Sequence, residues 1–194
     1  GLGFAPDVRG ALKGALARAG TDEDQLVAAG LMKRSDDGRD PFDYFRRRIM
    51  FPITDKRGRT IAFGGRIMGD GEPKYLNSPD TPLFNKGRVL YGVAQAAPSA
   101  YKSGEIVVAE GYMDVIALNR AGFEAAVAPL GTALTEDQMV LLWRLAPEPV
   151  VCFDGDAAGA RAAARAAERV LPLLKPGFSL RFAILPEGED PDSL

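Results

Sequence analysis

The residues best suited to chemistry are Asp154-Gly155-Asp156, where an apolar β-branched run, Val150-Val151-Cys152-Phe153, ends in two carboxylates one glycine apart. The alanine-rich stretch at 160–174 follows and reads as a helix. A strand that delivers charge at its tip and then enters a helix is how open α/β sheets build sites, because ligands bind beyond the carboxyl ends of the strands. Two more strand-like runs end in the same way. Glu110-Gly111 follows 106–109, and Glu187-Gly188-Glu189-Asp190-Pro191-Asp192 follows 180–185.

If these strands are parallel neighbours, their acids share one edge of a sheet. Two unit charges about 4 Å apart at an effective dielectric near 20 repel by roughly 4 kcal/mol, so such acids converge only where protons or cations compensate. Magnesium bound by a few carboxylates, with other positions left for water and phosphate, meets that need. The glycines fit this reading, since a small residue beside each acid lets a metal and a phosphate approach the backbone. Each acid also has a plainer reading. Asp156 alone is equally well explained as the N-cap of its helix. Glu110 and Asp114 serve as first-turn acids answering a helix dipole, and Asp190-Pro191-Asp192 as an ordinary turn. Three strand ends repeating the pattern favour the shared-metal reading.

Composition narrows the chemistry. The chain of 194 residues contains no histidine and a single cysteine, Cys152, which sits in an apolar strand and is expected to pack there. Internal disulfides, Cys/His zinc sites and histidine bases are therefore excluded, and a metal must be held by oxygen, which suits magnesium, manganese or calcium. No apolar run is long enough to cross a bilayer, and Gly1-Leu2-Gly3-Phe4-Ala5-Pro6 lacks a signal-peptide layout. The net charge of −2 conceals a division: residues 44–88 carry a local +6, and residues 89–194 a local −6. A polyanion and a divalent cation would satisfy the two halves, and ordinary surface variation explains them equally well.

The elements that must position these residues fall into two parts. Residues 1–50 read as two short helices, one at 8–19 capped by Asp7 and stopped by Gly20, the next opened by an Asp22/Gln25 capping box. Ser35-Asp36-Asp37-Gly38-Arg39-Asp40-Pro41 is a polar turn. Arg46-Arg47-Arg48 reads as a solvated rim with one arginine in a salt bridge, in preference to a nucleic-acid contact. The runs 51–54 and 60–63 flank turn residues 55–59 and form a β-hairpin. Gly64-Gly65 lets the backbone bend before Arg66-Ile67-Met68, and the forty residues after that read as irregular but ordered, since Tyr75, Leu76, Leu83 and Phe84 give them apolar anchors. From Glu105 onward strands at 106–109, 125–128, 150–153 and 180–185 alternate with helices at 112–121, 135–145 and 160–174, the pattern of a parallel sheet with right-handed crossovers. Arg161, Arg165 and Arg169 form one polar stripe on the last helix, leaving its alanines to pack.

Glu110-Gly111-Tyr112-Met113-Asp114 together with Asp154-Gly155-Asp156 resembles the TOPRIM signature of topoisomerases, bacterial primases and some nucleases. Residues 73–92, the hairpin 51–66, the loop Pro129-Leu130-Gly131-Thr132-Ala133-Leu134-Thr135 and residues 185–192 resemble, more narrowly, the RNA polymerase domain of DnaG-type bacterial primases. The resemblance covers essentially the whole chain. It implies an α/β fold, a TOPRIM-type parallel sheet flanked by helices (101–194), preceded by a smaller mixed α+β basic subdomain (1–100). It implies that Glu110, Asp154, Asp156, Asp190 and Asp192 are metal-associated acids, with Glu110, Asp154 and Asp156 catalytic and Asp114 accessory. Arg66, Lys74, Asn77 and Lys86 match positions that contact template or incoming nucleotide, and Tyr75 and Arg88 join them.

The activity implied is template-directed synthesis of RNA primers on single-stranded DNA, with Mg2+ or Mn2+, ribonucleoside triphosphates and a replicative helicase as partners, in the bacterial cytoplasm and away from membranes. The family's zinc domain, helical remainder and helicase-binding domain have no counterpart in this sequence, so it reads as part of a catalytic core, weak or inactive alone. Two rival readings are another TOPRIM enzyme, a topoisomerase or nuclease, and a segment that binds DNA or nucleotide without turnover. A topoisomerase needs a tyrosine nucleophile from a further domain, and none of the five tyrosines has a recognisable setting for that.

Overall fold

The computed structural model describes residues 1–35, 37–131 and 133–193; Asp36 in the expected polar turn, Thr132 in the expected loop and Leu194 lie outside the described residues. By packing, the chain divides into one unit of residues 1–53 and 60–85 and a second of residues 54–59 and 86–194.

The first unit is built on an antiparallel sheet in the order β1-β4-β5-β6, from β1 (Gly3–Ala5), β4 (Arg48–Thr54), β5 (Thr60–Ile67) and β6 (Tyr75–Asn77). Helices α1 (Ala11–Ala17) and α2 (Glu23–Ala28) and a two-stranded ribbon of β2 (Met32–Lys33) and β3 (Phe42–Asp43) complete it. The α2 capping box is present as expected: Gln25 N donates to Asp22 Oδ1 (2.8 Å) and Asp22 N to Gln25 Oε1 (3.0 Å). The expected hairpin is present too, closed by Gly58 N donating to Asp55 O and Asp55 N to Arg59 O, both 2.9 Å.

Three expectations for this region are corrected. The first helix begins at Ala11 after a left-handed Gly10, not at residue 8 under an Asp7 cap, because residues 3–5 are drawn into pairing with residues 48–50. The stretch read as irregular contains β6, held by Gly64, Gly65 and Arg66 opposite Asn77, Leu76 and Tyr75. It also contains α3 (Val93–Ser103), which carries Pro98 inside it. Finally, Arg48 is no rim residue in a salt bridge. It is buried at 5% exposure, and its Nη1 donates to the carbonyls of Gly65 (3.3 Å) and Lys74 (3.4 Å).

The second unit holds the expected parallel sheet, ordered β10-β9-β7-β8, from β7 (Val107–Val108), β8 (Ala126–Val127), β9 (Val150–Phe153) and β10 (Arg181–Ile184). Helices α3, α4 (Tyr112–Arg120), α5 (Glu136–Trp143) and α6 (Ala157–Val170) flank it, with a short 3-10 turn at Leu171–Leu173. Its core gathers Leu90, Ile106, Val108, Val127, Met139, Leu142, Val151, Phe153 and Val170, while Ala162 and Ala163 of α6 pack against it. Arg161, Arg165 and Arg169 lie exposed on α6, and Cys152 is buried as expected. The register sets Val108 beside Val151 and Ile184 beside Phe153, so the carboxyl ends of β7, β9 and β10 finish nearly level.

Candidate active site

Level strand ends bring the acids together within the second unit. Glu110 leaves β7 half-buried and its Oε1 accepts a hydrogen bond from the backbone N–H of Asp154 at 3.2 Å, which ties the first acid to the third strand. The tip of β9 is joined in turn to the loop after β10. Gly155 N donates to Glu189 O (2.8 Å), and Gly188 N donates to Gly155 O (3.1 Å). That pairing requires glycine at 155, since a Cβ there would lie 1.9 Å from Pro186 O. Gly159 has the same constraint, its Cβ position being 2.1 Å from Asp154 O. The expected role of Gly155 is thereby corrected: it makes room for protein backbone, because the β10 loop crosses directly over it.

The acids divide by what their oxygens already do. Asp156 caps α6, its Oδ1 accepting from Ala158 N (2.8 Å) and Gly159 N (2.7 Å), so the plainer reading of this residue holds alongside any other. Asp114 accepts from Gly111 N at 2.8 Å at the start of α4. Asp190 Oδ1 accepts from Asp192 N (2.9 Å) and Ser193 N (2.8 Å), shaping the turn on which Asp192 is exposed. Asp154 differs. Its Oδ1 is buried and meets no hydrogen-bond donor among the described residues. A buried carboxylate oxygen without a donor is costly unless a cation or proton answers it.

Electrostatics carry the same message. Burial, reinforced by the Asp154 carboxylate, raises the pKa of Glu110. Burial raises that of Asp154 as well, with Asp190 and Asp156 adding repulsion. Asp114 is pushed up to about 6, by burial first and then by Asp154, Asp190 and Asp192, against the favourable Gly111 N–H. Each of these three groups is less comfortable charged than it would be in water, as expected where carboxylates crowd without a counterion. Among the described residues no three acids or thiols close on one point as an ion cage. An acidic, oxygen-only donor set of this kind belongs to the chemistry of hard divalent cations, which take carboxylate, water and phosphate oxygens.

The expected basic residues fall in both units. In the first, Arg66 is half-buried on β5 with its Nε shielded from solvent and without a hydrogen-bond acceptor among the described residues. Asn77 is half-buried at the end of β6, and Lys74 Nζ lies 5.9 Å from the ring centroid of exposed Tyr75. In the second, Lys86 is exposed, and Arg88 Nε pairs with Asp137 Oδ2 at 2.9 Å. Two structural residues escaped the sequence reading. Arg48 gave no signal, because the alternation that buries Phe51 and Ile53 points to residue 49 and not 48. Gln138 was legible only as a capping residue, yet its side chain also reaches the Lys86 and Val89 carbonyls.

The family model for the N-terminal domain of the DNA primase catalytic core matches residues 1–97, and that for the Toprim domain matches residues 104–183. The DNA primase of Pseudomonas aeruginosa is 54% identical over 197 residues, which cover all of this chain and 29% of the relative. The chain belongs to the DnaG-type DNA primases. Among solved structures of that family, a DNA primase domain from Pseudomonas aeruginosa is similar over the whole chain, with a TM-score of 0.92 and 53% identity, covering 60% of that domain. The DnaG primase catalytic domain bound to ssDNA is similar with a TM-score of 0.87 and 46% identity, again over the whole of this chain and 60% of the other. The chain thus spans less than a third of the length of that Pseudomonas primase. Its fold is that of the matching part of the catalytic core, with the TOPRIM-type parallel sheet that the resemblance implies. Among the described residues no helix is long and apolar enough to cross a membrane.

Proposed function

We propose that this chain carries the metal-binding centre and part of the template surface of a primase that joins ribonucleotides on a single-stranded DNA template. The observation that carries the reading is the buried Asp154 Oδ1, which meets no donor among the described residues, on a residue whose backbone N–H is tied to Glu110 at the level ends of parallel strands. Glu110, Asp154, Asp156, Asp190 and Asp192 are the residues that would hold Mg2+, or Mn2+ in its place. Bound there, the metal would ease ionisation of a primer 3′-hydroxyl and offset charge on the attacking and leaving oxygens of phosphoryl transfer.

The chain's own residues do the rest by position. The Glu110–Asp154 N–H contact and the Gly155–Glu189 pairing hold acids from three strand ends in fixed register, so that little reorganisation is needed when charge arrives. Asp114 faces the same cluster from α4 and, with its raised pKa, adjusts the charge of the site. Arg66, Lys74, Tyr75, Asn77, Lys86 and Arg88 would contact the phosphates of template and incoming nucleotide without reading bases, which makes binding salt-sensitive. Family membership supports ribonucleoside triphosphates as substrates, a replicative helicase as partner and the bacterial cytoplasm as the place of action.

The test is ribonucleotide incorporation on a single-stranded template by the full-length protein with Mg2+ or Mn2+, beside its Asp154→Ala variant. Incorporation that depends on metal and is lost in Asp154→Ala supports the reading. Normal primer synthesis in Asp154→Ala sinks the metal-site assignment. Relaxation or nicking of supercoiled plasmid without ribonucleotides would favour a different TOPRIM chemistry.

A further inference from the structure

Gln138 is a polar side chain with 0% exposure, and every hydrogen-bonding group of its amide is used. Its Oε1 accepts from Thr135 N at 3.0 Å, which with Gln138 N donating to Thr135 Oγ1 (3.2 Å) completes the capping box of α5. A capping box needs nothing more. Yet Nε2 also donates to Lys86 O at 3.0 Å and to Val89 O at 2.8 Å, and Thr135 Oγ1 donates to Gly87 O at 2.6 Å. Three carbonyls of one four-residue segment are therefore held by the first turn of a helix some fifty residues away in sequence. Asp137, from the same turn, pairs with Arg88. The opposite end of this arrangement is anchored as well, since Arg169 Nη1 of α6 donates to Leu134 O at 3.1 Å, just before the cap.

We propose that Gln138 and Thr135 are positioning residues for nucleic-acid binding: they fix the backbone path of residues 86–89 and so fix where Lys86 and Arg88 meet phosphate. This rests on the reading of Lys86 as a phosphate contact. The physical reason lies in ordering cost. A lysine is a point charge on a flexible stem, and Lys86 is followed by a glycine, so an unheld segment would have to be ordered each time a strand binds. Locking the carbonyls from behind leaves both cationic side chains on the outward side, Lys86 and Arg88 both being exposed, while the backbone stays rigid. Asp137 holds the Arg88 guanidinium in one orientation until a phosphate competes for it.

The test uses the full-length protein with Thr135→Val, which is isosteric but lacks the hydroxyl, and Thr135→Ser, which restores it. Gln138→Glu, which keeps the acceptor and loses the donors, is a further variant. Limited trypsin digestion read by mass spectrometry reports cleavage after Lys86 and Arg88. Anisotropy of a labelled single-stranded oligonucleotide over a salt series reports phosphate contacts, and a thermal melt confirms folding. The expected result is cleavage at those two bonds at least about tenfold faster in Thr135→Val. The salt slope should flatten by about 0.7, as for one lost single-strand phosphate contact. It should not flatten further on adding Lys86→Ala, and Thr135→Ser should behave as the wild type does. Should Gln138→Glu fail to fold, the threonine pair decides alone. A folded Thr135→Val with a wild-type slope, beside a flattened slope in Lys86→Ala, would overturn the proposal. An unchanged slope in Lys86→Ala itself would overturn the phosphate-contact reading beneath it, whatever trypsin shows.

Discussion

Replacing Asp114 with asparagine should stabilise the metal-free protein at neutral pH, although it removes a residue of the site. The Asp114 carboxyl has its pKa pushed up from 3.8 to about 6 by burial and by the neighbouring carboxylates of Asp154, Asp190 and Asp192. A folded-state value above the unfolded one means that the native protein holds the proton more tightly. The relative stability this confers is full below pH 4 and is lost as pH rises through about 6. A rise of that size corresponds to about 3 kcal/mol. The group is partly open to solvent, and screening reduces the figure to about 1 kcal/mol. Asparagine keeps an oxygen for the Gly111 N–H and carries no charge. For a chain of this length, about 1 kcal/mol moves the melting midpoint by about 2–4 °C. Thermal melts in EDTA at pH 7.5 should therefore show Asp114→Asn higher by that amount, and at pH 4 the two proteins should nearly coincide. Saturating Mg2+ at pH 7.5 should narrow the gap, because the cation relieves the same repulsion. Equal gains at both pH values, or a lower midpoint at pH 7.5, would refute the reasoning.

Gly155→Ala should cost about 1–3 kcal/mol, because its Cβ would lie 1.9 Å from Pro186 O and the β10 loop must move. Melting and Mn2+ titration should both register it, whereas Gly111→Ala, whose Cβ has only Asp114 Oδ2 at 3.7 Å, should register in neither. Arg48→Met keeps the packing but loses donors to the Gly65 and Lys74 carbonyls; it should cost about 1–2 kcal/mol by denaturant melts. Lys74→Ala combined with Lys86→Ala should flatten the salt slope of single-strand binding by about 1.4, at about 0.7 for each lost contact, with the melting midpoint unchanged. An unaltered slope would remove these lysines from the template surface.

The half of the chain that follows residue 105 was legible because its signals are local. Apolar runs alternate with helices that carry their own caps, as at Thr135 and Gln138, and three of the four strands end in acids beside a glycine. The acids could be found for the same reason, since parallel topology brings strand tips to one edge. What stayed hidden depends on partners distant in sequence. Residues 3–5 and 75–77 become strands only because residues 48–50 and 64–66 offer them edges to pair with. The α3 helix was obscured by Pro98, which removes a backbone donor in its interior. The reason for Gly155 was also invisible, since it lies in a loop that returns to it from more than thirty residues on. Arg48 and Gln138 look like surface residues by type, and only their burial against backbone carbonyls reveals their work.

The central claim is that Asp154 and its neighbours hold the metal on which nucleotidyl transfer depends. The most direct measurement is a crystal structure of the protein with Mn2+ and a ribonucleoside triphosphate, with manganese located by its anomalous signal. The account predicts manganese against the buried Oδ1 of Asp154 and against Glu110, with the triphosphate oxygens completing its shell. Manganese bound only away from Asp154, with this carboxylate still alone at the end of β9, would contradict it.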